Sequence, residues 1–550
     1  MPSTHERASE GIFVTTNADE TSDNYEAQYP TGLIGLERKG PVDLESDIER
    51  IERLGRERPA QFKTIWAELA FLFSIFMSQI LTEYFVSGFT VVLPTLIDEL
   101  QIPSAAVVWP ASAFSLVVAS TLLVFGRLGD MFGGFFVYLF GLAWLLLWSV
   151  VAGFSRNPLM LDFCRALQGL GPAAFLPAGV MLLGGVYRPG PRKNLAFSLY
   201  GACAVVGFYI GIFFAGLTGQ FIFWGWYFWI GAALAGITLV TSYLSIPKDY
   251  AEKKKNNIAM DWYGSVFITC GLVLVVYSIT DSMHSPHGWR TPYIPVLLVV
   301  GCIFLGIAVY VEGWVAMLPL LPSDMFQVPS MKPLIMALTF SYGTLGIWMF
   351  YTVLYMENCM GAAPLQVVAW FVPMVIGGLV LSTVGGFVLH LIPGTGLLLV
   401  SGIGWIGANI LLAVIPHGGS YWAYILPSMV LGSIGIDITF SIANIFVTTQ
   451  LPSERQGLAG AVLNSIMHLG IALLLGFTDI VQTSTSHKGL CRSYHDTFWF
   501  GTACASVAFV ILVLFVKVDK AKSDLTADEK RAFENEAREP DTSGLHEATF

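Results

Sequence analysis

Charge is the scarcest property of this chain. Only 12% of its 550 residues are charged, against 55% hydrophobic, where a soluble domain carries about 25% charged residues. That deficit excludes a large water-soluble domain. Cysteine is sparse as well: Cys164, Cys203, Cys270, Cys302, Cys359, Cys491 and Cys504 are scattered, and no pair has zinc-site spacing. Most fall in apolar runs, where cysteine serves as a small packing residue. No Asn-x-Ser/Thr acceptor occurs, so N-glycosylation is not expected, and the absence of GxxxxGK[ST] argues against ATP hydrolysis. No nucleophile–base pair or metal cluster stands out. The expectation is therefore a protein that is not an enzyme, with no cofactor, no metal and no nucleic-acid partner. Residues 1–63 hold no apolar core of signal-peptide type.

What is present instead is a series of long apolar runs between Trp66 and Phe515, with a mean hydropathy of +0.65 over the chain. Runs of roughly 18 or more residues cross about 30 Å of hydrocarbon as helices. Fourteen spans are predicted, near 66–93, 105–125, 135–154, 159–186, 195–219, 222–246, 262–280, 293–312, 334–357, 365–389, 395–415, 421–447, 458–482 and 495–516. The fold class is all-α and polytopic, with the lipid bilayer as its surroundings. With the N-terminus inside, ten loop Lys and Arg residues fall on the inner side: Arg127, Arg188, Arg192, Lys193, Lys248, Lys253, Lys254, Lys255, Lys332 and Arg455. Four fall outside: Arg156, Arg290, Lys488 and Arg492. That bias places both termini in the cytosol of a cell-membrane protein.

The expected organisation is a solvated, disordered tail (1–63), a six-helix half (64–247), a basic linker with an inserted helix pair (248–312), a second six-helix half (313–516) and a second tail (517–550). The cue for two halves is positional. GRLGDMFGG (126–134) follows the second helix of one, and GGFVLHLIPG (385–394) closes the second helix of the other.

Charges inside apolar spans call for an explanation, because an arginine at the centre of a membrane helix costs roughly 2.5–3.5 kcal/mol on insertion scales. In the fourth span Arg165, Gln168, Gly169, Pro172, Leu176 and Gly179 share one face, which should point into the bundle. In the first, Gln79, Glu83, Ser87 and Thr90 form a stripe, and Glu83 lies near the depth of Arg165. Glu83 is a candidate counter-ion for Arg165, with Asp162 as its rival. The twelfth span carries Ser433, Asp437, Ser441 and Asn444 on one face, and the thirteenth places Asn464 and His468 one turn apart. Glu83, Arg165, Gln168, Asp437 and His468 are the candidate proton and substrate pathway. The bland alternatives are a static ion pair, a packing hydrogen bond at Asp437 and a packing role for His468. Nearby aromatics, among them Tyr84, Phe85, Phe89, Trp348, Tyr351, Trp370 and Phe371, suit an amphipathic or neutral organic molecule. Cys359 and Cys491 fall in outer loops and are candidates for a disulfide.

At GRLGDMFGG and LDFCRALQGLG the sequence resembles the major facilitator superfamily. The first motif keeps Gly126, Leu128, Asp130 and Gly133 of the loop between helices 2 and 3, with Gly134 and Phe135 where basic residues are usual. Gly126, Arg127, Asp130 and Gly133 are thereby implied as a gating loop, the glycines permitting a tight turn and Asp130 accepting hydrogen bonds from a neighbouring helix N-terminus. The second motif matches through Leu161, Arg165, Gln168, Gly169 and Gly171, and the resemblance implies a proton-coupling arginine. In GACAVVGFYIGIFFAG (201–216), Gly207, Gly211 and Gly216 align with the antiporter signature of helix 5, a packing surface. Ile212 and Ala215 replace its proline and one glycine, and Glu83 stands near the usual helix-1 aspartate. Fourteen spans resemble the drug:proton antiporter branch. AMDWYGSVF (259–267) and DITFSIANIFVTTQLPSERQGLAGAVLNS (437–465) look most like fungal aminotriazole-resistance and low-affinity ammonium transporters.

The resemblance implies proton-coupled export of a small organic compound by alternating access, with protons and a small molecule as partners. Facilitated or proton-linked movement of a small solute such as ammonium, and a non-transporting nutrient receptor on the same fold, are the competing readings.

Overall fold

A chain in hydrocarbon can satisfy its own backbone by coiling, since each N–H then meets a carbonyl four residues back. The computed structural model of the protein follows that rule. It describes residues 58–59, 61–103, 106–187, 191–249, 260–316, 319–321, 325–388, 392–450 and 456–518. The expectations for both tails as far as 57 and from 519, for 250–259 of the basic linker, and for Arg188 and Arg455 lie outside the described residues.

In chain order the helices are α1 (Ile65–Leu100), α2 (Trp109–Phe132), α3 (Gly134–Ala152), α4 (Pro158–Val186), α5 (Pro191–Phe221), α6 (Gly225–Ser245), α7 (Trp262–Asp281), α8 (Tyr293–Tyr310), α9 (Met331–Asn358), α10 (Pro364–Val388), α11 (Gly394–Ala413), α12 (Leu426–Gln450), α13 (Gln456–Thr485) and α14 (Leu490–Phe515). Fourteen helices among the described residues are long and apolar enough to cross a membrane, and no strand occurs among those residues. The all-α polytopic expectation holds. Side-chain caps start several helices: Thr64 accepts from Ala67 N at 3.2 Å, and Asn157 from Met160 N at 2.8 Å. Because spans alternate in direction, α1 begins and α14 ends at the same end of the bundle, here the tail side; the opposite end is the far side.

Two boundaries differ from expectation for physical reasons. The tail predicted to reach residue 63 already packs at Phe62, buried with its ring 5.2 Å from that of Phe71. α1 runs through Pro94 to Leu100, because fully buried Leu93 and Leu96 hold the turn around the proline. It stops at Gln101, which is left-handed at φ 52°.

The expected gating loop is mostly helix. Gly126, Arg127 and Asp130 lie in the last turns of α2, and only Gly133, at φ +89°, separates α2 from α3. The carboxylate that meets the N-terminus of α3 belongs to Asp249, just after α6. Its Oδ2 accepts from Gly134 N at 2.7 Å and its Oδ1 from Phe135 N at 3.2 Å. A side chain on Gly133 would press on Oδ1 at 2.6 Å. At α3 the carboxylate on the helix N-terminus is therefore that of Asp249.

The tail side of the first six helices is also fastened by Glu68 of α1, buried at 2% exposure. Arg192 grips it through Nε to Oε1 at 2.9 Å and Nη2 to Oε2 at 2.7 Å, and Tyr187 donates to Oε1 at 2.8 Å. Burial, and then the carboxylate beside it, push the Tyr187 phenol well above its usual range, which keeps it a donor.

On the far side Cys359, the C-cap of α9, and Cys491, in the first turn of α14, form a disulfide with Cα atoms 5.8 Å apart. It closes a loop with a sequence separation of 132. Replacing both cysteines by serine is expected to cost about 2–4 kcal/mol. A lowered melting temperature in the double variant, with a reduction-sensitive gel mobility in the wild type alone, is the check.

Candidate functional site

Arg165 is 1% exposed on α4, yet its guanidinium meets no carboxylate among the described residues. Nε donates to Pro110 O of α2 at 3.1 Å, Nη2 to Phe85 O of α1 at 3.0 Å and Nη1 to Gln168 Oε1 at 3.2 Å. The rings of Phe89 and Phe114 lie 4.2 and 4.4 Å from the guanidinium carbon, so the cation sits between two π faces. Gln168, fully buried, is itself fixed by donating to Ser149 Oγ at 2.8 Å. The expected pairing with Glu83 or Asp162 is not made. Arg165 reaches the α1 backbone two residues beyond Glu83, and one Asp162 oxygen is buried without a hydrogen-bond partner.

Glu83 receives a single side-chain bond, from Gln79 Nε2 at 3.4 Å. One turn on, Ser87 bridges to α5 by donating to Phe208 O at 2.9 Å. Asp437 of α12 has no hydrogen-bond partner among the described residues. A methyl built on Gly378 of α10 would lie 3.0 Å from its Oδ2 and 3.1 Å from Val205 of α5, so the carboxylate lies where α5, α10 and α12 meet. His468 of α13 is fully buried, its ring 6.4 Å from that of Phe114 at 68°, and neither ring nitrogen is hydrogen-bonded. A packing role would normally satisfy at least one of them.

Arg165, Asp437 and His468 border the seam between the first and last six helices. A cavity of about 20 Å³ there is lined by Arg165, Thr90, Phe114, Ser115, Gly346 and Met349, among others. That volume holds roughly one water molecule and no organic substrate. Toward the far side the seam is shut by α5 against α10. Gln220 Oε1 accepts from Leu365 N at 3.0 Å, and a methyl on Gly216 would come within 3.1 Å of Pro364 O. Gly207 and Gly211 instead bring α5 against α1 backbone to backbone, with Ile80 O and Tyr84 O each 2.6 Å from the position a methyl would take. α5 itself runs unbroken from Pro191 to Phe221 with Ile212 buried inside it.

Sequence reasoning passed over Asp249, Glu68 and the buried pair His284–Asp479. Glu68 and Asp479 carry the same signal that exposed Arg165, a charge inside an apolar span. Asp249 carries none, because its role exists only after the chain folds.

Compared with known proteins, residues 75–475 match the family model of the Major Facilitator Superfamily. The low affinity ammonium transporter of Saccharomyces cerevisiae is 31% identical over 94% of this chain and 100% of its own length. Efflux pump terJ of Aspergillus terreus is 30% identical over 86% of this chain and 92% of itself, and the aminotriazole resistance protein of S. cerevisiae 30% over 84% and 86%. Among solved structures, the nucleoside transporter NupG superposes with a TM-score of 0.55 at 14% identity, covering 82% of this chain and 99% of that one. The human organic anion transporter MFSD10 superposes at 0.54 and 15%, covering 81% and 99%, and at such identities both speak to fold alone. A helical bundle of fourteen apolar helices among the described residues, matched across most of its length by transporters, leaves one assignment: the chain belongs to the major facilitator superfamily and is a membrane transporter rather than an enzyme.

Proposed function

We propose that the protein exports a small, hydrophobic or weakly charged organic compound in exchange for protons, by alternating access of the two six-helix halves. The observation that carries this reading is that buried Arg165 and half-buried Glu83 and Asp437 lie within apolar spans and none is matched with an opposite charge among the described residues. A static ion pair would serve architecture. Unmatched charges are costly to maintain unless a cycle uses them. Proton binding at Glu83 or Asp437 removes a charge that no cation offsets, which changes the relative cost of exposing or burying that face. Export agrees with the efflux pump and resistance protein among the relatives. The loop charge bias favours cytosolic tails in the cell membrane, and a disulfide on the opposite side agrees with an oxidising compartment there.

The test uses purified protein in sealed vesicles with an acidic lumen and labelled aminotriazole outside, against protein-free vesicles. Uptake should follow the proton gradient, collapse with a protonophore, and lose its gradient dependence in Glu83→Gln or Asp437→Asn. Uptake indifferent to the gradient removes proton exchange. The near full-length likeness to the low affinity ammonium transporter supports a second reading, and protein-dependent ammonium flux without aminotriazole flux would select it.

A further inference from the structure

The inserted helix α7 touches both six-helix halves at once. Toward α2, Thr269 Oγ1 donates to Ser120 O at 2.9 Å, and the Tyr277 ring lies 5.1 Å from that of Trp109. Toward α13, Val276 is buried in one small cluster with Leu116 of α2 and Ala472 of α13. Gly476 of α13 admits Thr280, whose Oγ1 is 2.6 Å from where a methyl would stand. Just past the end of α7, His284 Nε2 pairs with the Asp479 carboxylate of α13. The two side chains are 8% and 4% exposed. The transport reading above uses none of this.

We propose that the α7–α8 insert is a latch across the α2–α13 seam, held to α13 by the His284–Asp479 pair and loosened when His284 loses its proton. The contacts to α2 are a neutral hydrogen bond and a ring pair, which pH does not alter. The contact to α13 is the one that changes charge. Its sign follows from the pair. Protonated, His284 offers Asp479 a charge-assisted bond, roughly twice as strong as a neutral one. Once His284 is neutral, its bond to Asp479 loses that charge assistance, and Asp479 is left as a buried carboxylate without a counter-ion. The latch is therefore tight in acid and slack in alkali.

Other titratable or charged groups on the surrounding elements are Tyr277 and Asp281 on α7, His287 and Arg290 in the link, Tyr293 on α8, Tyr351 on α9 and Tyr494 on α14. Asp281 is already engaged, accepting from Tyr293 Oη at 2.7 Å. The Tyr351 hydroxyl is buried without a partner, its ring 5.9 Å from that of Tyr494. Because α7 ends on the far side, the latch answers to the compartment opposite the tails. Its consequence for transport rests on the alternating-access reading; its response to pH does not.

Hydrogen exchange of the full-length protein in lipid nanodiscs, corrected for the intrinsic pH effect, tests the latch. In the wild type, amides of 281–292 and of the far-side end of α13 should exchange on the order of tenfold faster at about pH 8 than at about pH 5.5. His284→Gln and Asp479→Asn should exchange fast at both. Wild-type protection that ignores pH, or a pH response retained in either variant, overturns the proposal. A response confined to the link, with α13 unmoved, overturns the hold on α13. Should one variant fail to fold, the other and the wild-type comparison still decide.

Discussion

Arg165→Met is expected to lower transport on the order of 100-fold or more while leaving the melting temperature unchanged or raised. The two halves of that expectation come from the same geometry. Arg165 makes three hydrogen bonds as a cation, to Pro110 O, Phe85 O and Gln168 Oε1, but no ion pair. Its charge is thus an expense to the resting fold. Even complete buried ion pairs are often replaced by apolar side chains of similar volume at no cost or with a gain of about 1–4 kcal/mol, and Arg165 has no carboxylate to leave unpaired. One buried acceptor, Gln168 Oε1, loses its donor, at a cost of about 1–3 kcal/mol that offsets part of the gain. Pro110 O and Phe85 O sit inside helices, and Gln168 Nε2 keeps its bond to Ser149. The flat faces of Phe89 and Phe114, 4.2 and 4.4 Å from the guanidinium carbon, accept a methionine as readily as a cation. What disappears is the positive charge on the seam and its pull on any carboxylate or anion that arrives during the cycle. Arg165→Lys should fail nearly as badly, since one ammonium on a flexible stem does not reproduce a planar fork aimed at two helices. Gradient-driven uptake and thermal unfolding, measured on the same preparations, check both halves. Normal transport by Arg165→Met removes the arginine from the mechanism.

That result would also mark where sequence reading stops. Fourteen spans were legible because hydrocarbon imposes one length and one composition on every helix that crosses it. Arg165 was legible as an anomaly, since charge in such a run stands out. Its partners were not. Backbone carbonyls carry no sequence signature, and depth along two helices is the same whether Glu83 turns toward Arg165 or toward Gln79. The carboxylate at the start of α3 was hidden for a related reason: a motif shows which residues are present, whereas Asp249, more than a hundred positions away, meets α3 only through the path of α6.

Gly211→Ala is expected to destabilise the protein by about 3 kcal/mol or more, while Gly201→Ala, on the same helix, should stabilise it by about 0.5–1 kcal/mol. In a helix interior the added methyl restricts the unfolded chain, so alanine gains wherever space permits. Around Gly201 space permits, since no atom lies within 4 Å of the new carbon. At Gly211 the methyl would meet Tyr84 O at 2.6 Å, Tyr84 Cα at 2.7 Å and Ser87 Oγ at 2.7 Å, and at Gly207 it would meet Ile80 Cα and O at 2.6 Å. Backbone cannot swing aside as a side chain does, so α1 and α5 must separate. Tyr84 is locked in turn, donating to Tyr227 O at 2.7 Å while Tyr227 donates back to Tyr84 O at 2.8 Å. Pushing on Tyr84 O therefore strains α6 as well. The next carbonyl along α1, Phe85 O, is the one that holds Arg165 Nη2 at 3.0 Å. A Gly211→Ala protein that survives purification should thus lose transport beyond its loss of folded material, whereas Gly201→Ala should keep it. Thermal unfolding of the two variants gives the sign, and uptake normalised to folded protein gives the coupling. Equal behaviour at both positions would mean that the backbone contact between α1 and α5 neither sets stability nor positions the arginine.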